Sequence, residues 1–478
     1  MFAAPKLLVA VSVFYLAWLH LYPAPVDFHT LASHRFRPLP GDNTLPYNTA
    51  HSLWHGESLR NPTADWLSSD RPPLQAGWLL LARPATVLLD LDDRTAHGTA
   101  ALWFESIWIL AAFGLLRTLG LPRARALAWT ALLAFSGFFI LNTLFTWPKL
   151  SAAAFTCGTF SLWFLRGPPG RTTREPVDQG PHAVGVDPPG SASANPSVPI
   201  LLGGALASLA WLAHGGVAFS FLALTPWLVR PVFRAPRPWL LAAATFAVCA
   251  LPWIAYQKFY DPPGNRLLKW HLAGQIEKDA RGTWQAIRDS YAALPAGEIA
   301  ANKLKNLAYQ FQGDWRYDSV PAGLKGHRDD EFFHTVRGLT WWVLGLAALP
   351  LALRKRRPGI PWRHHANLAG WTAATIGWSC LLIFIPGTAM IHLGSYAAML
   401  ALFVLLSAWC ELASPWLLGV IAVLQTGTFF TVWTAPTAPA GGPPDRVAAL
   451  LAAVAAIAIL LLVAREHRAP LSPISRNT

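Results

Sequence analysis

TAALWFESIWILAAFGLL (residues 99–116), RTLGLPRAR (117–125) and ALAWTALLAFSGFFILNTLF (126–145) set two apolar runs on either side of a short basic loop. Each apolar run is close to the ~20 residues a helix needs to cross about 30 Å of hydrocarbon. The arginines between them lie where positive charge marks the cytoplasmic side of a membrane. The pattern extends in both directions. Leu7 to Tyr22 precedes it. Leu150 to Leu165, Val198 to Ala213, Val217 to Val229, Trp239 to Tyr256, Leu339 to Leu353, Leu368 to Ile385, Leu393 to Trp409, Pro415 to Trp433 and Val447 to Val463 follow it. The expected fold is an all-α polytopic membrane protein with about twelve transmembrane helices, several at the short end of the range.

Composition agrees. The 478 residues are 53% hydrophobic and 13% charged, with 24 Trp, too apolar for ordinary soluble domains. The excess of 38 Lys and Arg over 25 Asp and Glu, a net +13, falls in short loops between apolar runs, which argues against nucleic acid as a partner. The four cysteines, Cys157, Cys249, Cys380 and Cys410, lie inside apolar stretches with no close pair, so neither a disulfide nor a zinc site is expected of them.

Leu7 to Tyr22 follows a lone Lys6 and is read as a retained anchor in preference to a cleaved signal, Pro25 being a poor residue after a cleavage site. With the N-terminus inside, the concentrated basic runs Arg117 to Arg125, Arg166 to Arg174, Arg230 to Arg237, Arg354 to Arg363 and the tail from Arg465 to Arg476 all fall in the cytoplasm. This map requires that Pro73 to Leu89 does not cross, and Arg83-Pro84 at its middle fits a surface-lying or re-entrant helix. The chain then divides into a membrane module over residues 1–166 with a first outer loop at 23–98, a Pro/Gly/Ser-rich cytoplasmic linker at 167–199, helices at 200–256, a small helical outer cap at 257–337 and a C-terminal membrane segment at 338–478. Richness in Ala, Pro, Trp and Arg reads as a GC-rich bacterial genome, hence an inner membrane with the site facing the periplasm or exterior.

Acids and cations gather in the outer loops. Asp42, in Gly41-Asp42-Asn43, sits where a lipid-linked head group would arrive, and is equally good turn chemistry. Asp70 precedes Arg71-Pro72-Pro73 and is either a second acid or a helix cap paired with Arg71. Three inward-running spans start on Lys149, His214 and His392. Each puts a helix N-terminus at the outer face, where backbone N–H groups and the dipole favour a phosphate. Taken singly, Lys149 is as well read as a snorkelling anchor and the histidines as interfacial hydrogen-bonding groups.

Asp42, Tyr47 and Arg71-Pro72-Pro73-Leu74 together resemble the first outer loop of the GT-C glycosyltransferases that use polyprenyl-phosphate sugars. That group contains protein O-mannosyltransferases and the aminoarabinose transferases of lipid A. The resemblance covers roughly the first third of the chain in residues and the rest only in span order. It implies a GT-C-like fold, a polyprenyl-phosphate sugar as donor, an envelope glycan, lipid or protein as acceptor, and an acidic residue in the first loop as base. Here Asn43 stands beside Asp42 where the relatives carry a second acid, which removes one potential ligand for a divalent metal. His51 and His55 lie four residues apart with only Glu57 nearby as an acid, so no metal site is expected there.

The expected function is transfer of a sugar to an extracytoplasmic acceptor with inversion. Asp42 acts as general base with Asp70 as the alternative, and Tyr47, Arg71, Lys149, His214 and His392 bind substrate. A transporter or flippase of lipid-linked glycans would bind the same phosphate without breaking a bond, and a non-catalytic subunit of an envelope-polymer assembly would not need Asp42. No internal repeat is evident, and the ionisable residues gather near span ends, which favours the enzyme over the transporter.

Overall fold

A computed structural model describes residues 2–36, 41–60, 66–165, 197–311, 328, 335–355, 358–387, 396–434 and 443–468, with Asp42 described in its backbone only. Most of the expected linker, and His392, lie outside these residues. The described chain is all helical.

Five helices are long and apolar enough to cross a membrane: Asp93–Thr118, Gly215–Arg234, Pro236–Tyr260, Trp416–Trp433 and Arg446–Arg468. Four shorter apolar helices, Ala3–Leu19, Ser197–Ala213, Thr340–Arg354 and Ala397–Ala413, accompany them. The expected span Ala126 to Phe145 is not straight. Its halves, Arg123–Leu133 and Gly137–Leu144, meet at 67°. Ser136, with φ −80° and ψ 143°, leaves the helical region just before Gly137, the Ser/Gly pairing at which helices commonly break.

Ala397–Ala413 is apolar on every face and lies at the centre, buried along its whole length. Thr340–Arg354, Trp362–Leu382 and Lys149–Phe160 pack around it. A Cβ on Gly345 would sit 2.8 Å from the Leu406 backbone, so only glycine permits that approach. Ala3–Leu19 lies along Arg446–Arg468, and Tyr15 Oη donates to Ala134 O at 2.6 Å, which joins the chain's first helix to the bend. Leu74–Leu88 spans 15 residues, about 22 Å at helical rise, and packs on Leu45–His55 and Asp93–Glu105. It is too short to cross, as the orientation map requires.

The bundle has two distinct ends. At the basic end Arg125 binds Glu411, Arg123 binds Glu466, Lys355 donates to Ala413 O and the His365 ring bonds Leu119 O. At the loop end Arg60 reaches Tyr260 O, Asp445 N donates to Leu21 O, and Phe384 N donates to His271 O. The expected basic loops 117–125 and 354–363 and the helix entering the tail therefore converge on one end. The first loop and the small helices Arg266–Ala273, Thr283–Ala292 and Ala296–Ala308 converge on the other.

Candidate functional site

Lys149 is the most enclosed cation of the loop end, with no solvent exposure. Its Nζ lies 3.6 Å from the Trp147 ring centroid and 4.6 Å from that of Tyr396. Aromatic faces compensate part of a desolvated ammonium, and Trp147-Pro148 fixes the chain that delivers it. Both flanking segments are strained. Thr146 has φ 55° and Tyr396 φ 66°, a region that bulky residues rarely occupy. Such strain is held only where packing over-determines the backbone, and it concentrates at ligand sites.

The helix start behind Lys149 does not have the chemistry expected from sequence. Its open N–H groups, those of Leu150 and Ser151, donate to Glu105 Oε2 at 2.9 and 3.0 Å, and Ser151 Oγ donates to Oε1 at 2.8 Å. A protein carboxylate already occupies the positive end of the dipole. What Lys149 offers a ligand is its side-chain charge. His214 likewise caps its own turn, its Nδ1 accepting from Gly216 N at 3.1 Å.

Arg71 belongs to the same region. Gln75, on the helix that follows Arg71-Pro72-Pro73, donates to Thr146 O at 2.5 Å and so ties that motif to the strained turn before Lys149. The guanidinium carbons of Arg71 and Arg266 lie 4.8 and 4.1 Å from the centroid of Trp66. Burial depresses His214 well below the ordinary imidazole range, with Lys149, Arg71 and His271 adding to the effect. Burial likewise lowers His271 to about 4, against its bond to Leu267 O, with Lys149 and Arg71 contributing. Two fixed positive charges thus converge with two imidazoles kept neutral at physiological pH.

Asp70 is 4% exposed. Its carboxylate accepts from Leu67 N at 3.1 Å and from Arg266 N at 3.4 Å, capping its own turn and the start of a distant helix. Burial raises its pKa above the usual carboxylate value, against those two bonds and the charges of Arg266 and Arg71. Asp261 completes the lock between first loop and cap, accepting from Ser68 Oγ at 2.8 Å and Ser69 N at 3.2 Å. Asp70 and Asp261 together tie the first loop to the cap.

The Asp42 turn, Gly41–Thr44, leads directly into Leu45–His55. Its neighbour Asn43 is buried and donates through Nδ2 to Phe145 O at 2.7 Å and to His29 Nδ1 at 3.0 Å. The latter bond needs an unprotonated ring nitrogen, and burial lowers His29 to about 4. Where the resemblance implies a second acid, this chain has an anchor that pins the Asp42 turn four residues from Lys149. Tyr47 Oη donates to Asp93 Oδ2 at 3.0 Å, so its hydroxyl is held by protein and what it can offer substrate is its ring.

Sequence reading missed Glu105, Asp93, Asp261, Trp66 and His271. Glu105 carried a signal, a lone carboxylate inside an apolar run. The others act through partners far away in sequence and carried none.

No protein-family model and no curated protein sequence matches the chain. Solved structures do. ArnT from Cupriavidus metallidurans bound to undecaprenyl phosphate is similar over 97% of this chain and 70% of that chain, with TM-score 0.51 and 14% identity. The same protein in the apo state covers the same shares with TM-score 0.49 and 13% identity. At 14% identity the likeness is one of fold, and it gives the chain the polytopic helical architecture of that structure nearly end to end.

Proposed function

We propose that this protein is a membrane glycosyltransferase that moves a sugar from a polyprenyl-phosphate carrier to an acceptor on the far side of the cytoplasmic membrane. One observation carries the reading. Asn43 ties the Asp42 turn to the segment that ends in buried Lys149, so an acid for the acceptor and a cation for the departing phosphate share one end of the fold. The similar fold of ArnT, crystallised with undecaprenyl phosphate, supports a lipid phosphate as the leaving group.

Asp42 accepts the proton of an acceptor hydroxyl as its oxygen attacks the anomeric carbon. The bond from that carbon to the phosphate oxygen breaks, and the electron pair leaves with polyprenyl phosphate. Lys149 and Arg71 hold the charge that develops on the phosphate oxygens. His214 and His392 are assigned to substrate binding from the sequence, Tyr47 packs against the sugar, and Asp70 holds Arg266 in place. Attack opposite the phosphate inverts the anomeric configuration. The loop end faces the periplasm or exterior and the basic end the cytoplasm. The sugar acceptor is an envelope glycan, lipid or protein.

The test is the stereochemistry of the product. Purified protein supplied with a β-linked polyprenyl-phosphate sugar and envelope extract should give an α-linked glycoside by NMR, with free polyprenyl phosphate. Retention of the β linkage would break the direct-displacement mechanism. Recovery of intact donor would favour a transporter or an assembly subunit.

A further inference from the structure

We propose that His51, His55 and Asp93 form a binding site for one Zn²⁺ ion at the loop end. His51 and His55 lie four residues apart on Leu45–His55, so their imidazoles share a face, with ring centroids 4.4 Å apart. Asp93 enters from the first turn of Asp93–Glu105, and one ligand atom from each of the three lies within 4.8 Å of the others. Tetrahedral zinc at about 2.0–2.2 Å from nitrogen and oxygen holds its ligand atoms roughly 3.4 Å apart. His51 Nδ1 and Asp93 Oδ2 are 2.6 Å apart around a shared proton. An ion that replaces this proton separates them by less than an ångström.

The surroundings suit the ion. Asp92, not Asp93, caps the helix, accepting from Arg94 N and Thr95 N, so Asp93 is not consumed by capping. Arg83 holds Asp93 Oδ1 and leaves Oδ2 aimed at the histidines, the outer contact that orients a ligating carboxylate. Tyr47 Oη contacts the same Oδ2. A cavity of about 30 Å³ bordered by the three residues with Tyr47, Trp54 and Arg83 has room for a water as fourth ligand. His55 is exposed, which gives an entry path. Two imidazoles and one carboxylate select zinc over magnesium or calcium. Bound there, the ion joins Leu45–His55 to Asp93–Glu105 and, through Arg83, to Leu74–Leu88. That stiffens the helix into which the Asp42 turn runs.

The experiment uses full-length protein in detergent, freed of any polyhistidine tag and stripped with chelator. On adding Zn²⁺, elemental analysis after desalting should find one ion per chain, and Co²⁺ in its place should give the intense visible bands of four-coordinate geometry. His55→Gln, an exposed substitution that leaves the Asp93 network intact, should weaken binding at least about 10- to 100-fold, the range already seen for outer contacts of metal sites. Arg83→Gln should weaken it by about tenfold, and His34→Gln, on the separate helix Phe28–Arg35, should leave it unchanged. Failure of the wild type to retain zinc, or a His55→Gln variant that binds as tightly as wild type, would overturn the site whatever the outcome of the sugar-transfer assays.

Discussion

The two ends of the bundle surround their most enclosed cations differently. At the basic end Arg125 makes a bidentate bond to Glu411 at 2.7 and 2.6 Å, while Trp129 Nε1 donates to the same carboxylate, and Arg123 pairs with Glu466 at the surface. These cations are matched to carboxylates and serve orientation and stability. At the loop end Lys149, Arg71 and Arg266 are set against Trp147, Tyr396 and Trp66. A buried cation costs several kcal/mol in desolvation, and an aromatic face returns only about 0.5–2 kcal/mol. Arg266 Nε also donates to Ile276 O, so these cations are met by rings and carbonyls where the basic end uses carboxylates. Lysine and arginine counts do not separate the two uses, whereas burial and partner type do.

Substitutions should separate the ends in the same way. The largest effect is expected at Asp42. Asp42→Asn keeps the size of the side chain but loses the base, so turnover should fall by about 10² to 10⁴ while helicity and melting temperature hold. Near-normal turnover would transfer the base to another acid. Next comes Lys149. Lys149→Ala should raise the apparent KM for donor by roughly 10- to 100-fold, the worth of one charged hydrogen bond, and Lys149→Arg should recover part of it. Unchanged donor kinetics would make Lys149 an anchor and move the phosphate to Arg71 or Arg266.

At the basic end the pattern should invert. Glu411→Ala removes the carboxylate from Trp129 and leaves Arg125 with its bond to Pro415 O, and breaking such a largely buried pair costs up to about 3–5 kcal/mol. The melting temperature should drop markedly while the protein that stays folded turns over donor as before. A selective loss of turnover would erase the distinction between the ends. Acidification should act through the loop end. His271 titrates near 4 in the folded protein against an ordinary 6.5, so the unfolded chain binds more protons between those values. Stability should therefore fall as pH drops from about 6.5 towards 4, and His271→Gln should flatten that slope. The smallest effect belongs to Glu466→Gln, which removes the charge of a partly exposed pair and should change stability by about 1 kcal/mol or less.

Much of this contrast was legible in the sequence because it is local. The apolar runs, the arginines between them, the short helix Leu74–Leu88 and the proline-fixed segments that deliver Arg71 and Lys149 all follow from neighbouring residues. What was not legible depends on contacts across the chain. Glu105 fills the helix start that sequence logic offered to the phosphate, from 45 residues away. Asp93 meets His51 across 42 residues, whereas sequence reading looked for an acid near the histidines and found only Glu57. Asp70 looks like a second catalytic acid until Arg266, 196 residues on, is seen to donate to it. Asn43, noted as a missing acid, is an anchor for the turn it sits in.

The most direct test of the account is the initial rate of polyprenyl phosphate release from a purified polyprenyl-phosphate sugar, measured on equal amounts of folded wild-type, Asp42→Asn and Glu411→Ala protein. The account predicts release by wild type and by folded Glu411→Ala, and a rate at least about 10² lower for Asp42→Asn. Equal rates for wild type and Asp42→Asn, or an intact donor after incubation with wild type and acceptor, would contradict it.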